Sequence, residues 1–278
     1  MIDLHTHTTA SDGRCTPAEL VARASAAGVR VLSVTDHDTL AGYRPTAAAC
    51  AAAGIELVAG IEITAVRDGI DVHTLGYFMD VDAPALAAFL TLQRQDRMTR
   101  VIAMVDRLRG LGIVVDADAI LKPARDDESK SAGRPWVARA LVEAGYVPTI
   151  SAAFDRWLSP GRPAFVPRTG ATPEGVIAEL HRAGALASIA HPGLLGRDEW
   201  LPQFVDAGLD AIEAYHSDHD APTTSRYLAF AKKVGIAVTG GSDFHGDSSH
   251  GGRTLGCVSL PRDAFDRLKA LSATRRSA

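Results

Sequence analysis

The chain has 278 residues, 46% of them hydrophobic and 22% charged, with a formal net charge of −4. This composition belongs to a globular chain and excludes long disorder, and the net charge provides no overall basic surface for duplex DNA, although a small phosphorylated ligand needs only a local positive site. No apolar run reaches the ~18 residues of a membrane span, the three cysteines (Cys15, Cys50, Cys257) form neither a CxxC pair nor a disulfide framework, and a strand entered by Ile2 leaves no room for a leader, so the expected compartment is the cytoplasm.

Residues 2–7 alternate apolar and polar, which predicts a short strand ending at two histidines. Strand residues two apart share a face, so His5 and His7 project together. Asp12 follows after a polar turn closed by Gly13. Thr16-Pro17-Ala18-Glu19 is a helix start with a capping box and proline in the first turn, and that helix runs to about Gly28. Residues 29–35 read as a buried strand ending in Thr35-Asp36-His37-Asp38. An alanine-rich helix over 43–53 stops at Gly54, residues 55–63 form a strand carrying Glu62, and residues 70–78 form another carrying His73. Strand and helix thus alternate before a strand pair, the pattern of a largely parallel α/β sheet or barrel.

The rhythm breaks over 83–160, where helices dominate. Met98, Val101, Ile102, Val105 and Leu108 share one helical face, residues 126–131 are a charged loop, and Arg134-Pro135-Trp136 opens a helix to Gly145. Because ligand-type residues reappear afterwards, this stretch reads as a helical insertion splitting one barrel domain into 1–82 and 161–278, rather than as a tandem domain. A helix from Thr172 leads to a strand over 185–190 ending in His191-Pro192-Gly193, and one helix is expected from there to about Ala207. A strand over 209–214 precedes His216 and His219, and a strand over 236–239 precedes Ser242-Asp243-Phe244-His245. A final helix spans 261–271, with a frayed tail from Ser272. His181 and His250 read as surface residues.

The strand ends therefore supply His5, His7, Asp12, His37, Glu62, His73, His191, Asp243 and His245. In α/β folds these ends converge on one face. Nine such groups on one rim would desolvate at high cost without cations. Imidazole and carboxylate donors without thiolate favour open sites for manganese first, then iron or zinc, and nine ligands suit two or three divalent ions. Multinuclear sites of this kind support hydrolysis at phosphorus, with Glu62 the natural bridging carboxylate. Asp12 and His73 read either as ligands or as partners that orient ligands.

His5-x-His7, Asp12-Gly13, Thr35-Asp36-His37, Gly60-Ile61-Glu62, His73-x-Leu75-Gly76-Tyr77, His191-Pro192 and Ser242-Asp243-x-His245 together resemble the PHP (polymerase and histidinol phosphatase) phosphoesterases. The resemblance implies a distorted (β/α)7 barrel with a helical insertion and a trinuclear site. One ion would take His5, His7, Glu62 and Asp243, a second Glu62, His73 and His191, and a third Asp12, His37 and His245. Arg134-Pro135 and the 161–166 segment are similar to the subgroup acting on 3′,5′-nucleoside bisphosphates and short oligoribonucleotides, which implies a small nucleotide or short RNA as substrate. Trp136 stands where that subgroup usually has histidine and reads as an anchor for the cap or a base-stacking residue. Arg162 replaces its lysine. Arg134, Lys130, Arg162 and His219 are the candidate substrate contacts, each readable otherwise as an ordinary solvated or structural group. Histidinol phosphate or another small phosphomonoester is the second substrate reading, and a non-catalytic metal-binding module the third. Oligomeric state is not readable from the chain.

Overall fold

A computed structural model of the chain describes residues 1–246 and 253–276; His250 lies outside them, as do the last two residues of the tail. Seven strands among the described residues form one sheet in sequence order: β1 (Ile2–Asp3), β2 (Val31–Val34), β3 (Glu56–Arg67), β4 (Ile70–Tyr77), β5 (Leu186–Ile189), β6 (Ala211–His216) and β7 (Ala237–Gly241). Pairing is parallel except at β3–β4 and β4–β5. Leu4 N donates to Gly240 O at 3.2 Å and Thr6 bridges Phe244, so the first and last strands lie side by side and the sheet closes into a distorted barrel. The β3–β4 hairpin turns on Asp68 and Gly69, both at positive φ (51° and 74°), the backbone a tight two-residue hairpin requires.

Helices α1 (Pro17–Ala26) and α2 (Tyr43–Ala53) cover the first strands, α7 (Pro173–Arg182), α8 (Pro192–Leu195), α9 (Leu201–Asp206) and α10 (Ala221–Val234) the later ones, and α11 (Arg262–Arg276) closes the chain. The expected capping box is present: the Thr16 hydroxyl accepts from Glu19 N while the Glu19 carboxylate accepts from Thr16 N. Between β4 and β5 lie α3 (Pro84–Gly110), α4 (Ala117–Asp126), α5 (Arg134–Glu143), α6 (Ile150–Ala153) and a π-helical turn over Phe154–Leu158. The long α3 serves two cores. Leu86 and Leu90 pack with Ile61, Ile63, Val72 and Leu180 of the barrel. Further along, Val101, Met104 and Leu108 pack with Leu121, Val137 and Leu141 of the helical unit. One rigid element thereby ties both parts together. No helix of the described residues is long and apolar enough to cross a membrane.

Three local expectations are corrected. The first strand covers only Ile2–Asp3, not 2–7, because its neighbours diverge: Leu4 N and His7 N donate to the β7 side (Gly240 O, Phe244 O), while Thr6 O accepts from Thr35 N on the β2 side. The single helix expected after His191 is broken into α8, a 3₁₀ turn over Asp198–Trp200 and α9, since Gly196 adopts the left-handed conformation that ends a helix. The final helix continues to Arg276, beyond the expected stop at 271.

Candidate active site

All nine strand-end residues meet at the carboxyl-terminal mouth of the barrel. His5 and His7 follow β1, Asp12 lies on the following loop, and His37 follows β2 and bridges to Glu62 of β3. His73 comes from β4, His191 follows β5, and Asp243 and His245 follow β7. His5 Nε2 is 3.4 Å from both Glu62 Oε2 and Asp243 Oδ1; His7 Nε2 is 3.3 and 3.1 Å from the same two atoms. Glu62 Oε1 lies 2.8 Å from His73 Nδ1 and 3.2 Å from His191 Nε2. Asp12 stands 3.3 Å from His245 Nε2 and 3.7 Å from His37 Nε2. His191 (φ 27°) and Asp243 (φ 52°) hold positive φ without being glycine, a strained backbone of the kind that persists where surrounding structure dictates it.

The donor set suits divalent cations. Ligand atoms around one first-row ion with bonds of about 2.0–2.2 Å sit roughly 3–3.5 Å apart, and the four imidazole–carboxylate separations among His5, His7, Glu62 and Asp243, 3.1–3.4 Å, fall in that range. His5 Nε2, both ring nitrogens of His7, and His37 Nδ1 are buried without a hydrogen-bond partner, which would be costly unless another group engages them. Burial pushes the Glu62, Asp12 and Asp243 carboxyls up, yet the surrounding imidazoles hold all three well below the usual carboxylate range. Burial drives His37 down to about 3, whereas Asp12 and Asp243 overcome burial at His245 and lift it to about 9. Cations would replace those protons as the counter-charge.

Several further groups support the cluster. Glu213 on β6 is fully buried; its Oε1 lies 2.9 Å from His5 Nδ1, and its Oε2 accepts from His191 N at 2.7 Å, so one carboxylate orients two candidate ligands. His216 Nε2 lies 3.5 Å from Asp243 Oδ2. Asp3 accepts from Ser242 N and Gly256 N, tying the Asp243 segment to β1. Glu213 and Asp3 are acids within apolar strands, as Glu62 proves to be within β3. Asp36 accepts from Thr8 N, Thr8 Oγ1 and Ser11 Oγ, holding the loop that carries Asp12.

A cavity of about 250 Å³ opens over Glu62, His73, His191, Asp12, Asp243 and His245. Its opposite wall carries four arginines, Arg97, Arg100, Arg134 and Arg168, with Val101, Met104, Phe154 and Leu194 as the apolar part, while Arg253 lies on the cluster's own side with its guanidinium on the Asp243 carboxylate. Arg100 and Arg134 share Asp71 Oδ2 at 3.2 and 3.1 Å. Arg97 and Arg168 share Asp38 Oδ2. Arg100 Nη2, Arg168 Nε and Arg253 Nε are buried donors without a partner. Of the four expected substrate contacts, only Arg134 lines this cavity. Arg162 is exposed, and Lys130 lines a different cavity behind the Asp12 loop. His219 is committed structurally: Nδ1 donates to Ala214 O and Nε2 accepts from Gly193 N, which fixes the turn after His191. Proximity to a strand end suggested only His219, and the family resemblance and loop charge behind Lys130 and Arg162 carry no direction; the cationic wall comes from α3, α5 and the segment before α7, whose facing sides are set by packing. His181 is also no free surface residue; it pairs with Asp210 at 2.9 Å.

The PHP domain profile matches residues 3–144. The chain belongs to the PHP family. The PHP chain is 35% identical over 260 residues to a Chromobacterium violaceum protein named 3′,5′-nucleoside bisphosphate phosphatase, covering 92% of this chain and 90% of that one. It is 36% identical over 248 residues to a Haemophilus influenzae 5′-3′ exoribonuclease, covering 87% and 89%. A solved Bifidobacterium adolescentis structure, classed as a metal-dependent phosphoesterase, superposes with a TM-score of 0.88 at 32% identity over 96% of this chain and 95% of its own. Family and clustered side chains together imply divalent metal ions at the barrel mouth.

Proposed function

We propose that this PHP protein is a phosphoesterase that removes the 3′-phosphate from 3′,5′-nucleoside bisphosphates. The observation that carries the reading is a cavity with two unlike anion-binding ends. The His/Asp/Glu cluster forms one, and an arginine wall with unpartnered buried donors forms the other. A substrate with two phosphates satisfies both. Two or three divalent ions, manganese first among candidates, supply Lewis acidity and an activated water for attack at phosphorus. His5, His7, Glu62 and Asp243 would hold one, Glu62, His73 and His191 another, and Asp12, His37 and His245 a third.

The chain's own groups then divide the work. Arg100, Arg134 and Arg168 offer charge-assisted hydrogen bonds to the 5′-phosphate and so set the distance at which the 3′-phosphate meets the cluster. Phe154 and Leu194 offer an apolar surface for the nucleoside. Attack by water breaks the bond between phosphorus and the 3′-oxygen, and the proton of the water ends on the departing ribose hydroxyl. The helical unit over 83–160 acts as the cap that supplies Arg97, Arg100 and Arg134 to the cationic wall, with Arg168 from the chain that follows it. Likeness to the exoribonuclease supports a second substrate of the same chemistry, a short oligoribonucleotide entering by its 5′-phosphate. No observation favours histidinol phosphate or a non-catalytic module.

The test is phosphate release by metal-loaded enzyme from adenosine 3′,5′-bisphosphate, adenosine 3′-monophosphate and histidinol phosphate side by side. The bisphosphate should be turned over with the highest kcat/KM. Equal rates with and without the 5′-phosphate would remove the role given to the arginine wall, and preference for histidinol phosphate would overturn the substrate class.

A further inference from the structure

The loop that carries Asp12 is gripped from outside the barrel. Its three successive carbonyls, those of Ala10, Ser11 and Asp12, all accept hydrogen bonds from the helical unit. Ser131 N donates to Ala10 O at 3.0 Å, the Trp136 indole Nε1 donates to Ser11 O at 3.0 Å, and Arg139 Nη2 donates to Asp12 O. On its barrel side the loop is held through Thr8 and Ser11 by Asp36, the Ser11 hydroxyl also lies 3.4 Å from Asp12 Oδ1, and Arg14 N donates to His245 O at 2.7 Å. Ala10, Ser11 and Asp12 are buried, yet a groove of about 620 Å³ runs along part of the outer side, lined by Ser11, Gly13, Lys130, Trp136 and Arg139 among others. Beside that groove the three outer hydrogen bonds set where the loop stands. At the inner side there is no slack, since a Cβ on Gly13 would come within 2.6 Å of His7 C and O.

We propose that Trp136 and Arg139 are positioning residues for the Asp12 end of the metal centre: the helical unit, besides supplying cations to the cavity, sets the place of the Asp12 carboxylate through the backbone of its loop. This rests on the reading of Asp12 as a metal ligand. The two donors sit one turn apart on α5, at positions 136 and 139, so a single helix face delivers both. Asp12 lies 3.3 Å from His245 Nε2 and 3.7 Å from His37 Nε2. Sliding the loop outward into the space behind it would spoil both separations, while the His5, His7, Glu62 and Asp243 group, anchored by strand ends, would keep its spacing. The consequence is selective: one ion is weakened and the others are not.

The experiment is calorimetric titration of the metal-free protein with Mn²⁺ for the native chain, Trp136→Phe, Arg139→Met and the double variant, with Asp12→Asn alongside. Trp136→Phe keeps a ring and removes the N–H. Arg139→Met keeps an apolar stem and removes the donors. In the double variant the weakest-bound ion should lose roughly 10–100-fold in affinity, the range typical of groups that orient ligands, with the tighter equivalents unchanged. Hydrogen exchange of the 8–14 segment should quicken in the same variants, while their circular dichroism matches the native chain. Asp12→Asn should abolish binding of that same ion. If Asp12→Asn loses it and the clamp variants bind every ion as the native chain does, the positioning role is overturned. If Asp12→Asn itself binds every ion normally, the ligand reading fails and the inference falls with it. Should the double variant not fold, Trp136→Phe alone decides, with a loss at the weakest ion supporting the clamp and native binding overturning it.

Discussion

The barrel rim and the helical wall face each other across one cavity, but they place their polar groups differently. On the rim, short imidazole and carboxylate side chains stand at strand ends, and backbone pairing fixes them: Thr6 bridges Phe244 and His37 bridges Glu62. On the wall, long arginines reach in from α3, α5 and the segment before α7, and each is aimed by a shared acid, Asp71 for Arg100 and Arg134, Asp38 for Arg97 and Arg168. The rim suits an ion, which demands ligand positions good to a fraction of an ångström. The wall suits a substrate phosphate, for which charge and fork geometry matter more than exact placement. Asp38 belongs to both: it sits next to His37, takes positive φ (53°), and its carboxylate receives two wall arginines.

The largest effect should come from breaking the rim. Glu62→Ala removes the carboxylate shared by His5, His7, His37, His73 and His191 contacts. The expected loss in kcat is at least about 10³-fold, at the upper end for a single electrostatic group, with native circular dichroism and reduced metal content by elemental analysis. Retention of both activity and metal would separate the cluster from the chemistry.

Next comes the joint between the two regions. Asp38→Asn leaves Arg97 and Arg168 buried without their counter-charge, which should cost about 3–5 kcal/mol in denaturant unfolding. The pH dependence follows from the carboxyl's shift. Burial pushes Asp38 up, but Arg97 and Arg168 override it and hold it well below the usual carboxylate range. A group whose folded pKa is depressed stabilises fully above its unfolded value, near ~3.9, and loses that contribution as pH falls toward the folded value. The native chain's advantage over Asp38→Asn should therefore be constant from pH 5 to 7 and shrink below about pH 4. An advantage unchanged down to pH 2 would deny the ion pairs their role.

A smaller effect is expected on the wall. Arg134→Ala should lower kcat/KM for a bisphosphate by about 10–100-fold, equivalent to one charge-assisted contact of roughly 1.5–3 kcal/mol, and should change little for a substrate lacking the 5′-phosphate. A loss equal for both substrates would assign Arg134 to the fold instead. The smallest effect belongs to Arg162→Ala. Its exposed position off the cavity predicts kcat/KM within about 2-fold of the native chain, as for most surface substitutions, and a larger drop would extend the substrate's path beyond the cavity.

Rim and wall also differ in how far they could be read in advance. A strand's alternation tells which side chain stands at its end, so His5, His7, Glu62 and Asp243 could be proposed together from a chain that separates the first from the last by more than two hundred residues. Glu213 lies inside Ala211–His216 and was passed over, whereas Glu62, equally internal to Glu56–Arg67, stood out because its strand was expected to end at residue 63. Arginines on helices carry weaker cues still. Arg100, Arg134 and Arg168 belong to three segments, and only the packing of α3 onto both cores turns them toward one space, while Lys130 and Arg162, equally basic and closer in sequence to Arg134, turn elsewhere.

Local order along the chain therefore determined the strands, the helix caps and the residue types presented at the barrel mouth, because periodicity and capping act over a few neighbouring residues. Which cations face that mouth, which acids steer them, and how the Asp12 loop is held from behind were decided by the docking of distant helices, since a long side chain acquires its direction from the surface it packs against rather than from its neighbours in sequence.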